Sequence, residues 1–333
     1  MTWRTAVLAA MLAFCGMCGS LARMGLTALT SFQGQLGGAL IWSNFAGSFI
    51  MGFTSNNSYL YGDVLDGEKE NPRYKAAGTI PIYIALNTGL CGSITSFSSF
   101  IEQLFLLSAN KRLSLPYSYH NSGYGVMMFL GYVVETMSVS VTGFLIGKVL
   151  ANMCEGKKRF PLAKWEATIE YVMATLGVIG WIVALILFIV RDEHSWRYYS
   201  GAMIFSPFGV YARHLCSRYL NKMSKRFMIG TFTANICATV ILSVLLLLQT
   251  GKGPHSAKPI VSSKSSCLVI SGVIQGFCGC FSTISSFVNE LVNVLSPTDA
   301  LRYGSSSIVI GYALMVLIYG TYVWVHGDSG PVC

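Results

Sequence analysis

Two twelve-residue segments hold most of the chemistry available to this sequence. Residues 89–100 read GLCGSITSFSSF and residues 276–287 read GFCGCFSTISSF. Six of the twelve positions are identical: Gly89/Gly276, Cys91/Cys278, Gly92/Gly279, Ser98/Ser285, Ser99/Ser286 and Phe100/Phe287. Both copies set Gly, Ser and Thr inside an otherwise apolar stretch. A straight lipid-facing helix has no use for that composition. Glycines permit a break in a helix, and a break in a membrane frees carbonyls and amides that only buried protein, ions or water satisfy. Paired interrupted segments in two halves point to an ion or substrate site near the bilayer midplane.

The elements that position these segments are membrane helices. The chain is 53% hydrophobic and 11% charged, with a mean hydropathy of +0.55, against about 25% charged residues in a soluble domain. Spans are expected near 5–30, 36–54, 78–108, 122–150, 166–190, 198–220, 228–250, 266–296 and 302–326, nine in all. The first is not expected to be a cleavable signal peptide: only Arg4 flanks it, and no clear small-residue cleavage site precedes Arg23. Cysteines lie mostly in apolar stretches, where a thiol acts as a small hydrophobe, so the ten cysteines do not read as a disulfide scaffold. The net charge of +9 sits in loops and reads as topology, not as a nucleic-acid footprint.

Helices one to four repeat as helices six to nine. GSLAR at 19–23 answers to GVYAR at 209–213, and WSNFAGSF at 42–49 to TANICATV at 233–240, which aligns Asn44 with Asn235. The fifth helix has no partner and carries no charge between Glu170 and Arg191. It delivers the chain to the opposite side, so the second repeat starts inverted, as in many transporters. The fold class is an all-α polytopic membrane protein: repeat 1–155, linker with the inverting helix 156–195, repeat 196–333. Fourteen Lys/Arg fall on the N-terminal side and seven on the other, which puts the N-terminus in the cytoplasm. The loops at 55–77 and 251–265 hold no domain. The Asn56-Asn57-Ser58 sequon falls on the inside and is discounted.

GSLAR, SNFAGSFIMGF and GLCGSITSFSSF together resemble the signature segments of the fluoride channel family. The resemblance covers nearly the whole chain and matches the eukaryotic type, in which two four-helix units are fused through an extra helix into a single-chain pseudo-dimer. It implies passive export of the fluoride ion through the lipid bilayer, in the plasma membrane, by a protein that is not an enzyme. The alternative is a proton-coupled carrier of fluoride or another small anion, for which Glu135, Glu102 and Glu290 are the titrating candidates. A strongly hydrated anion needs donors in place of its water. The amides of Asn44 and Asn235 donate, as do hydroxyls such as Ser285, and phenylalanine meets an anion with its positive edge.

Carried over by motif, the pore phenylalanines are Phe97 and Phe100 in the first repeat and Phe287 in the second. Ile284 departs from the pattern, having no aromatic edge. Each pore would draw one such residue from each repeat, joining Phe97 with Phe287 and Phe100 with Ile284, so one working pore is expected. The resemblance also implies a structural sodium ion on the backbone carbonyls of Gly92, Thr95, Gly279 and Ser282. Carbonyl ligation would leave the Thr95 and Ser282 side chains free to vary. Arg23, Arg213 and Glu290 are expected at pore mouths. Thr136, Ser140, Tyr303 and Ser307 are candidates for a polar track. Each residue has a plainer reading: Asn44 as a helix–helix bond, the phenylalanines as core, Gly89 and Gly92 as a small-residue packing face, the arginines as snorkelling side chains.

Overall fold

A computed structural model describes residues 3–32, 38–55, 57–66, 74, 76–111, 119–253 and 257–333. Asn56 of the sequon, the loop cations Lys69, Arg73, Lys75 and Arg112, and the expected start of the second span lie outside the described residues. Nine helical passes follow in order among them. They are α1 (Trp3–Thr30), α2 (Ile41–Ser55), α3 (Pro81–Ser108), α4 (Ser122–Met153), α5 (Leu162–Val190), α6 (His194–Leu220), α7 (Ile229–Thr250), α8 (Lys264–Val294) and α9 (Pro297–His326).

Seven of these are long and apolar enough to cross a membrane on length and composition alone. The other two are α2 and α6. At 15 residues, α2 is about 22 Å long, short of a hydrocarbon core of about 30 Å. The second exception, α6, is 27 residues long but carries Arg197, Arg213, His214, Arg218 and an internal Pro207. Both earn their place by packing. Gly143 and Gly147 of α4 lie against the Phe45 and Phe49 carbonyls of α2, and Gly209 of α6 against the Phe277 carbonyl of α8. Such close approach through small residues is how helices associate without a hydrophobic driving force. The linker helix α5 packs along α1 and α6.

The two interrupted helices form the centre. The most apolar stretches of α3 and α8 are 78% and 72% buried, against 17% for that of α5. Both are π-helical before the break, over Ala85–Cys91 and Val273–Cys278. The helix then stops, at Thr95 and Ser96 in α3 and at Ser282 in α8, where the backbone is extended. It resumes at Phe97 and Ser285.

The loop after α2 contains a short helix, Ser58–Asp66. One disulfide is present, joining Cys267 at the start of α8 to Cys333 across 66 residues. Residues 327–333 reach it by pairing Gly251 with Asp328 and by a Lys111–Asp328 salt bridge of 3.2 Å.

Candidate functional site

A broken helix leaves carbonyls unsatisfied at the end of its first half and amides at the start of its second. Each set is met by a different residue type, and most of the donors and acceptors cross between repeats.

The carbonyls are met by arginine. Nη1 of Arg23 donates to Ser93 O at 2.7 Å and to Gly279 O at 2.8 Å, and its Nη2 donates to Gln275 O. Nη1 of Arg213 donates to Ser282 O at 2.7 Å and to Gly92 O at 2.8 Å, and its Nη2 donates to Thr88 O. Each guanidinium therefore joins its own repeat to the other repeat's broken helix. Both arginines are 1% exposed, so they stand at the breaks and not at pore mouths. Helix C-termini carry partial negative charge that favours a cation there, and the fork of donors on Arg serves several oxygens at once. Gly92 and Gly279 are required for the same reason: a Cβ on Gly92 would meet the Arg213 guanidinium, and one on Gly279 that of Arg23.

The amides are met by hydroxyls and amide oxygens. Thr95 Oγ1 accepts from Ile284 N at 3.1 Å and Ser285 N at 3.0 Å. Reciprocally, Ser282 Oγ accepts from Ser98 N at 3.1 Å. Thr95 and Ser282 thus cap each other's second half-helix. Their side chains are committed to these caps. Ser285 Oγ, expected in the pore, accepts from Thr95 Oγ1 at 3.2 Å. Within each repeat, Asn44 Oδ1 accepts from Ser96 N at 3.3 Å and Asn235 Oδ1 from Thr283 N at 2.8 Å. The other amide atom differs. Asn235 Nδ2 donates to Thr283 O at 3.2 Å, whereas Asn44 Nδ2 is buried with no hydrogen-bond partner.

The phenylalanines continue from these caps. Phe97 meets Phe287 edge-on, ring centroids 5.7 Å apart at 63°. Phe287 lies 5.0 Å from Tyr303, whose hydroxyl donates to Glu290 Oε2 at 2.7 Å. The second Glu290 oxygen accepts from Thr231 Oγ1 at 2.5 Å and Asn221 Nδ2 at 3.4 Å. Glu290 is thus buried in a donor cluster and is not an open mouth charge. Phe100 lies on the far side of Phe97, at 5.8 Å, and next to Tyr132, at 5.7 Å. Ile284 is in the core. Thr136, Ser140, Tyr303 and Ser307 are all buried on α4 and α9.

The sequence reading passed over Ser96, Ser98 and Thr283 at the breaks, and Thr231 and Asn221 around Glu290. The hydroxyl pairs Thr95-Ser96 and Ser282-Thr283, just before the helices resume, carried the signal for Ser96 and Thr283, since Ser and Thr lead helix N-caps.

Three of the four sodium ligands named by sequence are among the carbonyls met by arginine. Gly92 O, Gly279 O and Ser282 O each accept one guanidinium bond. A carbonyl oxygen has two lone pairs, so each keeps one, and oxygen donors suit a hard cation. The donor set fits sodium in kind, while two neighbouring guanidinium charges oppose a third cation. Among the described residues no cluster of His, Cys, Asp and Glu could hold a metal ion.

The sequence family follows this two-part plan. The family model described as CrcB-like protein, Camphor Resistance (CrcB), matches the chain twice, over residues 10–147 and 201–320. The chain belongs to that family. Among curated relatives, Fluoride export protein 1 of Candida albicans is 35% identical over 309 residues, covering 93% of this chain and 78% of the relative. Fluoride export protein 1 of Saccharomyces cerevisiae is 28% identical over 372 residues, covering 96% and 94%. A bacterial family member, Fluoride-specific ion channel FluC 2 of Staphylococcus haemolyticus, is 32% identical over 121 residues. It covers 36% of this chain but 88% of the bacterial protein, as expected of a relative one repeat long. No solved structure matches the chain significantly.

Proposed function

We infer that this protein exports fluoride through a selective membrane channel, as the names of its relatives state for them, and that it does so through one working pore. The observation that carries the single-pore reading is the continuous run from Asn44 through Phe97, Phe287 and Tyr303 to Glu290. Asn44 stands at Ser96, one residue before Phe97, and holds a buried NH₂ donor without a protein acceptor. A dehydrated fluoride takes that donor. It then meets the two phenylalanine edges, whose positive rims stabilise an anion that has lost its water. Ser307 and Tyr303 hydroxyls continue the path along α9.

The other track lacks these provisions. Asn235 stands one residue before Ile284, and its NH₂ is committed to Thr283 O. Ile284 gives no aromatic edge to pair with Phe100. This second track serves structure. The chain works as a single-chain pseudo-dimer, since the arginines and capping hydroxyls already join its two repeats. Gly92, Thr95, Gly279 and Ser282 carbonyls would hold a structural sodium ion, which when bound adds a further cross-link between the breaks.

The N-terminus faces the cytoplasm of a cell whose plasma membrane holds the protein. The Cys267–Cys333 disulfide supports this orientation, because it lies at the end assigned to the outside, where disulfides persist. A negative-inside potential then drives fluoride out with no coupling step.

Fluoride efflux from proteoliposomes, followed with a fluoride electrode in chloride medium, tests the reading. Efflux that requires valinomycin to clamp the potential and ignores chloride supports a channel. Efflux that follows an imposed proton gradient without valinomycin favours a carrier using Glu290.

A further inference from the structure

A cavity of about 570 Å³ opens at the cytoplasmic end, between the start of α1, the start of α3 and the end of α6. It lies outside the run of residues from Asn44 to Glu290. Its walls include Arg4, Arg218, Lys222, His214, Ser217 and Thr88. Among the described residues, no carboxylate lines it. His214 is 8% exposed, and its Nε2 is buried without a hydrogen-bond partner. Three cations of one sign around one concavity focus the field into it and gather anions.

The size of the cavity argues against fluoride as the fitted ligand. A small anion in so wide a space keeps its water and touches one wall at a time. A tetrahedral oxyanion carrying more than one charge can reach several walls together. Arg218 suits it with paired donors and Lys222 with a point charge. Ser217 and Thr88 offer hydroxyls, and the His214 ring nitrogen offers a further polar contact.

We propose that this cavity binds a phosphate-type oxyanion, and that the bound anion slows fluoride entry from the cytoplasmic side. The inner end of the path is adjacent: Lys222 follows Asn221, whose side chain donates to Glu290. A bound dianion there repels fluoride arriving at the same entrance. The inference rests on the inward-facing orientation proposed above. The ligand is either free phosphate or the phosphate of an anionic lipid headgroup.

The test uses the full chain in phosphatidylcholine proteoliposomes, with inorganic phosphate on both faces and chloride replacing it at equal ionic strength in the control. An affinity of about 1 mM fills most of the sites at 10 mM phosphate, roughly ten to one, so wild-type efflux should slow about fivefold or more. In Arg218→Gln/Lys222→Gln the ratio of efflux without and with phosphate should fall to near one. Broadening of the phosphate ³¹P resonance by wild type, and not by this variant, should accompany it. In a second arm, phosphatidic acid replaces part of the phosphatidylcholine. Slowing of wild type but not of the variant in that arm alone supports the site with a headgroup as its ligand. No slowing in either arm, or equal slowing of wild type and variant, overturns the proposal. Loss of all efflux in phosphate-free vesicles would count against the fluoride reading instead, and the ³¹P linewidth would still report on the cavity.

Discussion

At the first break, Asn44 gives its oxygen to Ser96 N and keeps its NH₂ uncommitted. At the second, Asn235 gives its oxygen to Thr283 N and its NH₂ to Thr283 O. Beside the first asparagine stands Phe97 and beside the second Ile284. The halves agree in everything that holds them together and differ in what each leaves available. Both breaks have a guanidinium on the carbonyls, a borrowed hydroxyl on the amides, and a glycine where the partner's arginine passes. After duplication, the shared contacts constrain assembly from both sides, while on the single-pore reading one track conducts. On that reading scaffold and path are separable although the same segments build both.

The largest effect should test the agreement. Arg23→Ala strips donors from Ser93 O, Gly279 O and Gln275 O, and Arg213→Ala strips them from Gly92 O, Ser282 O and Thr88 O. A buried carbonyl left without its donor costs about 1–3 kcal/mol, so each variant should lose several kcal/mol and yield little folded protein. Size-exclusion profiles and thermal melts in detergent would show it. A loss from one arginine only would break the symmetry claimed for the scaffold.

The next effect tests the difference. Phe97→Ile or Phe287→Ile should lower fluoride efflux by more than tenfold, a barrier increase of about 1.4 kcal/mol or more. Phe100→Ile should cost about threefold or less, since its partner is already aliphatic. Equal losses at Phe97 and Phe100, at matched protein in the vesicles, would show two working pores.

The asparagines sharpen it further. Asn44→Ala should cost efflux about tenfold and lower the melting temperature less than Asn235→Ala, since it leaves only Ser96 N unpaired. Asn235→Ala should do the reverse, leaving two groups of Thr283 unpaired at about 1–3 kcal/mol each. Reversed outcomes would move the conducting track to the other half. Smaller again are the crossed caps. Thr95→Val and Ser282→Ala should each destabilise by about 1 kcal/mol, and Thr95→Ser should be silent. Replacing sodium by N-methylglucamine should have the smallest effect on the melt, because the arginines already bridge the same carbonyls. A large drop would mean that the cation carries the junction.

Much of this was legible in the sequence, for physical reasons. The duplication, the inverting helix and the two breaks are written in hydropathy and in glycine and hydroxyl placement, which are local. Motif order also placed Phe97, Phe287 and Asn44 beside the breaks, where the structure has them. The arginines were misplaced because a GxxxR motif at a helix end reads as an interfacial cation. Only the three-dimensional crossing of α1 over α8, and of α6 over α3, reveals six carbonyls waiting for the two side chains. The role of Thr95 and Ser282 was hidden likewise, since their amide partners lie 189 and 184 residues away. The Cys267–Cys333 pair was hidden because the two cysteines are 66 residues apart and no local pattern links them. The short α2 was expected as a full span because hydropathy does not register how closely small residues seat it on α4.

The crossed contacts bear on the order in which the protein is made. When the first repeat leaves the ribosome, Ser98 N awaits Ser282, and the carbonyls of Gly92 and Thr88 await Arg213. Those groups emerge about 120 to 190 residues later. Through that interval the nascent half carries a helix break only partly capped, by Asn44, Ser96 and Arg23, in a lipid environment that offers the remaining groups no partner. The first repeat is therefore an unfinished object by construction, dependent on water, insertion machinery or a chaperone until its sister arrives, and a stop codon in the linker would leave a stranded half and not a smaller channel.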